Sequence, residues 1–234
     1  MVLSVTLIGC SEDDNPVEAE QVTPDEPGSL ILEGNVYIDT SGLSLKFIQE
    51  CYPSDRPFAL GVINQNGDFR IAAPVPNSNL LFSSVTKIKD AYNYSGDLYI
   101  SDTTASYVIG KPILYLKDKK YAEIAWYNKP PVQYDSASSE YTETEYYYFD
   151  KPASIKGTLK NLFRDGYTIT YDIDVKAGWN RINCNRFYDF NYDDNFDNDI
   201  TRYTYTNETI SSEGFYTCSY ILIITPDGKK LIKN

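Results

Sequence analysis

From Leu30 onward the chain alternates apolar and polar residues in short runs with a period of two. The clearest run is Thr168–Val175. Ile169, Tyr171, Ile173 and Val175 fall on one side, and Thr168, Thr170, Asp172 and Asp174 on the other. Successive side chains of a strand point to opposite faces, so this pattern predicts a half-buried strand. Shorter runs at Leu30–Ile38, Phe58–Ile63, Phe69–Ala73, Ile113–Leu116, Tyr121–Tyr127, Trp179–Cys184, Tyr216–Ile224 and Lys230–Ile232 read the same way. Turn chemistry separates them. Asn66-Gly67 suits a tight hairpin between Phe58–Ile63 and Phe69–Ala73, and Asp118-Lys119-Lys120 marks a second. Lys176-Ala177-Gly178 turns the Thr168–Val175 strand into the next, and Pro226-Asp227-Gly228 closes Tyr216–Ile224. Pro74 and Pro76 break one run, and residues 128–140 form a polar break expected to be a long surface loop. Leu43–Cys51 is ambiguous between strand and helix, and no long amphipathic helix is legible. The expected fold class is all-β with little helix, a β-sandwich or irregular barrel. It forms either one large body or two smaller β-rich parts, at 29–97 and 98–234.

Composition sharpens this picture. Among 234 residues there are 22 Tyr and 10 Phe, which suit pleated sheets where rings pack across strands. There is no His, which removes the commonest general base, metal ligand and triad partner. No stretch approaches the ~18–20 apolar residues of a transmembrane helix. Net charge is -12, and residues 11–28 hold seven acids with no Lys or Arg. Nucleic acid, which needs clustered cations, is therefore not an expected partner. Anionic lipid headgroups are equally poor ones. Pro16, Pro24 and Pro27 add to the acids of that segment, and it has almost no large apolar residue. We expect residues 10–28 to serve as a disordered tether, too polar to fold, reaching about 60 Å when fully stretched.

The tether follows Leu7-Ile8-Gly9-Cys10, which resembles a bacterial lipobox, with residues 1–9 as the remnant of a signal peptide. None of those nine residues is Lys or Arg, so we expect translation to start further upstream. The Cys10 sulfur would carry the lipid, and attachment to a membrane would rest on acyl chains alone. The acidic Ser11-Glu12-Asp13-Asp14-Asn15 is similar to the surface-export signal of Bacteroidetes lipoproteins. The body resembles uncharacterised β-rich lipoproteins of the same bacteria. It does so at Glu33–Val36, Asn66–Ile71, Tyr146–Lys151, Ile155–Thr158 and Lys176–Asn180. The resemblance implies a lipid-anchored location in the outer membrane, facing the cell exterior. It implies no activity.

Candidate chemistry is sparse. Asp193, Asn195, Asp197 and Asp199 alternate as oxygen ligands of a calcium loop do. Asn198 stands where such a loop needs Gly, and Thr204 where it needs the bidentate Glu, so a solvated acidic loop is the favoured reading and no cofactor is expected. With Cys10 assigned to lipid, Cys51, Cys184 and Cys218 remain. An odd number cannot all pair, and Cys184 and Cys218 are expected to be neighbours on adjacent strands, as a disulfide or as two buried thiols, with Cys51 separate. Trp126, Tyr146, Tyr147, Tyr148 and Trp179 are candidates for stacking on a sugar ring, against the alternative that such rings are core. Within Tyr146–Tyr148 the outer two rings should share a face and Tyr147 take the other. Thr103 in Asp102-Thr103-Thr104 and Ser136 in Asp135-Ser136-Ala137 resemble O-glycosylation sites of exported Bacteroidetes proteins.

These features read as a non-catalytic surface binding or structural module, with a glycan or another surface protein as partner. The alternative is a two-carboxylate, glycosidase-like hydrolase. The anchor has a direct test. Cys10→Ala, in protein expressed from the upstream start, should release the chain from membranes and remove the lipid mass seen by intact-mass spectrometry. An unmodified residue 10 in membrane-extracted wild type would contradict the lipobox reading.

Overall fold

The computed structural model describes residues 26–219, apart from 37–40, 50–54, 78–79, 81, 89–93, 118, 128–137, 164–165, 190–199 and 208–213. Cys10, the tether to Asp25, Cys51, Ser136 and the candidate calcium loop lie outside the described residues, as do the side chains of Trp126 and Cys218. Fourteen strands follow one another: β1 (Leu30–Asn35), β2 (Leu43–Gln49), β3 (Arg56–Ile63), β4 (Asp68–Ala73), β5 (Ser83–Ser84), β6 (Tyr94–Ile100) and β7 (Ser106–Leu116), then β8 (Lys119–Tyr127), β9 (Ser138–Phe149), β10 (Ala153–Asn161), β11 (Tyr167–Val175), β12 (Gly178–Asp189), β13 (Ile200–Thr206) and β14 (Gly214–Ser219). The one helical turn among the described residues is a 3-10 turn at Val85–Ile88. The ambiguous Leu43–Cys51 stretch is strand β2. The protein is all-β and sandwich-like.

The strands form one sheet in the order β1-β4-β3-β2-β7-β8-β9-β12-β13-β11-β10-β6, with β14 beside β8, β5 beside β7, and the first half of β7 also paired with β9. Among the described residues every pairing is antiparallel except β11 with β13. The turn at Lys176–Gly178 joins β11 to β12 as expected, and it carries the chain past β13, which lies between them. The Asn66-Gly67 hairpin forms as its residues dictate. The Asn64 side chain accepts from the Asn66 and Asp68 amides at 2.9 and 3.0 Å, and Gly67 takes φ +86° with a carbonyl of Val36 where a Cβ would sit. Residue 97, the expected division between two parts, lies inside β6, and β2 pairs with β7 across it.

The sheet folds over itself so that β9 and β12 are walls of two cores. Tyr146 and Tyr148 of β9, with Trp179 of β12, join Phe47, Leu45, Phe69, Ile71, Leu114 and Ile124 in the first core. Tyr147, Phe149 and Ile182 face the second, with Ile100, Ile155, Ile173, Val175, Tyr171 and Tyr205. Tyr146 and Tyr148 thus share a face and Tyr147 takes the other, as a period of two requires. In the first core the Phe47 ring meets Phe58 and Trp179 edge-on at 5.3 and 5.6 Å. Phe58 and Trp179 stack within 2° of parallel. Trp179 donates from Nε1 to the Pro74 carbonyl at 3.1 Å, which satisfies the indole inside an apolar cluster.

Phe47 sits over Gly110, where a Cβ would come within 2.1 Å of the ring. Gly110→Ala should therefore cost about 1–3 kcal/mol, the usual range for an overpacked core. Adding Phe47→Leu should recover part of that loss, because the shorter side chain clears the new methyl. Urea unfolding of the two variants and of Phe47→Leu alone checks both statements, and a neutral Gly110→Ala would contradict the packing.

Candidate functional site

Opposite the first core, the same strands carry a row of charged side chains. Register places it: Lys111 follows Tyr107 and Ile109 on one face of β7, Glu123 of β8 is the partner of Ile113, and Glu143 and Glu145 of β9 oppose Cys184 and Ile182 of β12. Two residues beyond Cys184, on the same face, comes Arg186. Lys111 pairs with Glu123 at 3.2 Å. Arg186 Nη2 binds both Glu143 Oε1 and Glu145 Oε1, the latter at 3.2 Å. The Tyr147 hydroxyl donates to Glu145 Oε2 at 2.7 Å, and the guanidinium lies 5.5 Å from the Tyr203 ring centroid. The Glu143 and Glu145 side chains are only 10% and 15% exposed, so each carboxylate needs these partners. Among the described residues two polar atoms beside the row have no hydrogen-bond partner, Arg186 Nε and Thr201 Oγ1.

Burial sets the electrostatics of this face. It pushes the Glu145 carboxyl above its ordinary 4.5, with the Tyr147 hydrogen bond and Lys111 opposing and Glu123 adding to the rise. Burial likewise raises the Tyr147 hydroxyl well above 10, and the Glu145 charge adds to it. The Cys184 thiol is also raised, first by burial and then by Glu145, so it stays protonated.

Beside Lys111 the sheet opens into a groove of about 260 Å³ lined by Gln49, Ser83, Tyr107, Ile109 and Lys111. Strand β7 supplies its floor, since Tyr107, Ile109 and Lys111 alternate along one face. Ser83 pairs with Tyr107 through β5, and Ile48, the neighbour of Gln49, pairs with Lys111. The Tyr107 ring is fixed by Tyr147 and Phe149 at 5.9 and 5.8 Å. Burial raises the Tyr107 hydroxyl as well.

The expected stacking residues fall elsewhere. Tyr146 and Trp179 are 3% and 9% exposed and belong to the first core, while Tyr147 and Tyr148 are half-buried against the two cores. Those four rings make no open platform, because both faces of β9 are covered. The expected neighbourhood of Cys184 and Cys218 is also corrected. Cys184 is a buried free thiol in β12 between β9 and β13, whereas Cys218 lies in β14 beside β8. Strands β12 and β14 are not neighbours, which places the two residues on different ladders. Thr103 is exposed in the turn between β6 and β7, where Asp102 Oδ1 accepts from the Thr104 amide and hydroxyl at 2.8 and 2.7 Å. Among the described residues no group of three or more His, Cys, Asp and Glu is arranged to hold a metal ion. The groove and the charged row were not legible in sequence. Their one signal is the shared parity of Tyr141, Glu143, Glu145 and Tyr147, which sets acids among rings on one face.

No family model, curated protein or solved structure matches this chain.

The raised Glu145 gives a pH dependence of known sign. A carboxyl that holds its proton more tightly folded than unfolded destabilises the fold once ionised. Its contribution is best below about 4.5, the unfolded value, and is lost as pH rises through the folded value. Glu145→Gln should remove that loss. The melting temperature of the variant relative to wild type should climb between pH 4 and pH 8 in thermal scans, and parallel curves would contradict the assignment.

Proposed function

We propose that this protein is a lipid-anchored lipoprotein of the outer membrane, displayed on the cell exterior, whose all-β body is a non-catalytic binding module for glycans. The anchor and location rest on Leu7-Ile8-Gly9-Cys10 and the acidic run behind it. The non-catalytic reading rests on one observation. Two largely buried carboxylates, Glu143 and Glu145, lie on one strand and share a single guanidinium nitrogen of Arg186. A glycosidase needs its two carboxyl groups on either side of a scissile bond, one free to protonate and the other free to attack or to activate water. Here the space between them is filled by a cation that neutralises both. Such a row supports a rigid scaffold better than it supports chemistry. The binding reading draws on the groove beside Lys111, whose lining mixes ring, amide, hydroxyl and ammonium groups.

Incubating the full chain with a panel of polysaccharides separates the two function classes. We expect retention of at least one polysaccharide in a pull-down with no release of reducing ends. Turnover that disappears in Glu143→Gln would overturn the non-catalytic reading, and retention of none would overturn the binding reading.

A further inference from the structure

We propose that the groove lined by Gln49, Ser83, Tyr107, Ile109 and Lys111 is the subsite that takes one neutral sugar ring; this deepens the glycan-binding reading and rests on it. Its volume, about 260 Å³, lies just under the range of about 300–1,000 Å³ typical of pockets for drug-sized ligands, which leaves room for one ring and not for a chain. A bound glycan would therefore enter by a terminal or protruding residue.

The lining carries the argument for a polyol. A sugar hydroxyl both donates and accepts, and so do the Ser83 hydroxyl, the Tyr107 hydroxyl and the Gln49 amide taken as a whole. The Lys111 ammonium adds donors only. Among the described residues the Tyr107 hydroxyl has no hydrogen-bond partner, although burial raises its pKa. A half-desolvated hydroxyl on a residue that lines a cavity gains from a ligand that supplies the missing bond. The Tyr107 ring and Ile109 add apolar surface for the C–H face of a pyranose.

Charge argues for a neutral ring over an acidic one. Among the described residues Lys111 is the groove's single cation, and Glu123 already neutralises it at 3.2 Å. Glu145 lies close enough to Lys111 and Glu123 to feel both charges. An added carboxylate would meet two carboxylates behind one ammonium, in a chain of net charge -12. A neutral polyol meets no such repulsion.

Titration of the full chain with methyl hexosides by saturation-transfer NMR and calorimetry tests the assignment, with galacturonate and glucuronate as the charged probes. We expect at least one neutral methyl hexoside to bind with Kd on the order of 1 mM, as one small ring contributes about 4 kcal/mol. Tyr107→Phe keeps the ring on Tyr147 and Phe149 and loses only the hydroxyl, and it should weaken binding about fivefold, the usual worth of one neutral hydrogen bond. Ser83→Ala should weaken it by a similar factor. Circular dichroism and melting curves should be unchanged in both variants. Three results would overturn the inference: a hexoside that binds equally well to wild type and both variants, binding of the uronates alone, and no binding of any single ring. Polysaccharide retention in the same preparations then shows whether only this subsite assignment has failed or the broader reading with it.

Discussion

The seating of Phe47 on Gly110 is the contact on which the rest of this structure depends. It presses β2 against β7, and the same ring meets Phe58 of β3 and Trp179 of β12 edge-on. The consecutive strands β2 and β3 therefore share one aromatic joint with β7 and β12, which come much later in the chain. The Trp179 indole completes it by reaching a carbonyl 105 residues away, at Pro74. Edge-on and stacked pairs fix ring orientation as well as burying area, so the joint sets angles between strands and not merely their proximity. The groove follows from this. Gln49 stands beside Lys111 only because β2 is held to β7 in this register, with Ile48 opposite Lys111.

The charged row on the other face works as a register lock. In β9 a slip of one residue would carry Glu143 and Glu145 into the first core and bring Tyr146 and Tyr148 out of it. Buried carboxylates without partners cost several kcal/mol each, so the slipped pairing is heavily disfavoured. The row spans β7, β8, β9 and β12, with three acids, Glu123, Glu143 and Glu145, held between Lys111 at one end and Arg186 at the other. Replacing the row by apolar residues of similar size would not obviously weaken the fold. It would remove the penalty that distinguishes the correct pairing from its neighbours, in a sheet of fourteen strands where many pairings compete.

Local patterns in the sequence carried the strands and their faces. Thr168–Val175, Asn66-Gly67 and the alternation of Tyr146, Tyr147 and Tyr148 each state a conformation within a few residues, and the structure has those conformations. What the sequence did not carry is non-local. The parallel pairing of β11 with β13 depends on a strand that arrives 25 residues after β11 ends. Trp179 beside a turn glycine reads as exposed until Phe58 and Pro74 are brought over it. Cys184 and Cys218 have the parity of core residues, but parity says nothing about which strands are neighbours. The groove was hidden for the same reason. Gln49, Ser83, Tyr107 and Lys111 come from three strands, and no spacing links them in the chain.

Tyrosine abundance is explained by the second core and its edge more than by ligand stacking. A phenol buries a ring and still offers a polar atom, which suits the seam between an apolar core and a charged row. Tyr147 packs with Phe149 and gives its hydroxyl to Glu145. Tyr203 lies under Arg186 and bonds Tyr188, and Tyr205 stacks on Tyr171 at 4.9 Å. Phenylalanine at these positions would leave the acids and the guanidinium short of partners, and a shorter polar residue would leave the core short of area. Tyr107 belongs to this set by its ring contacts with Tyr147 and Phe149, and the same residue lines the groove, so one side chain joins the second core to the cavity beside it.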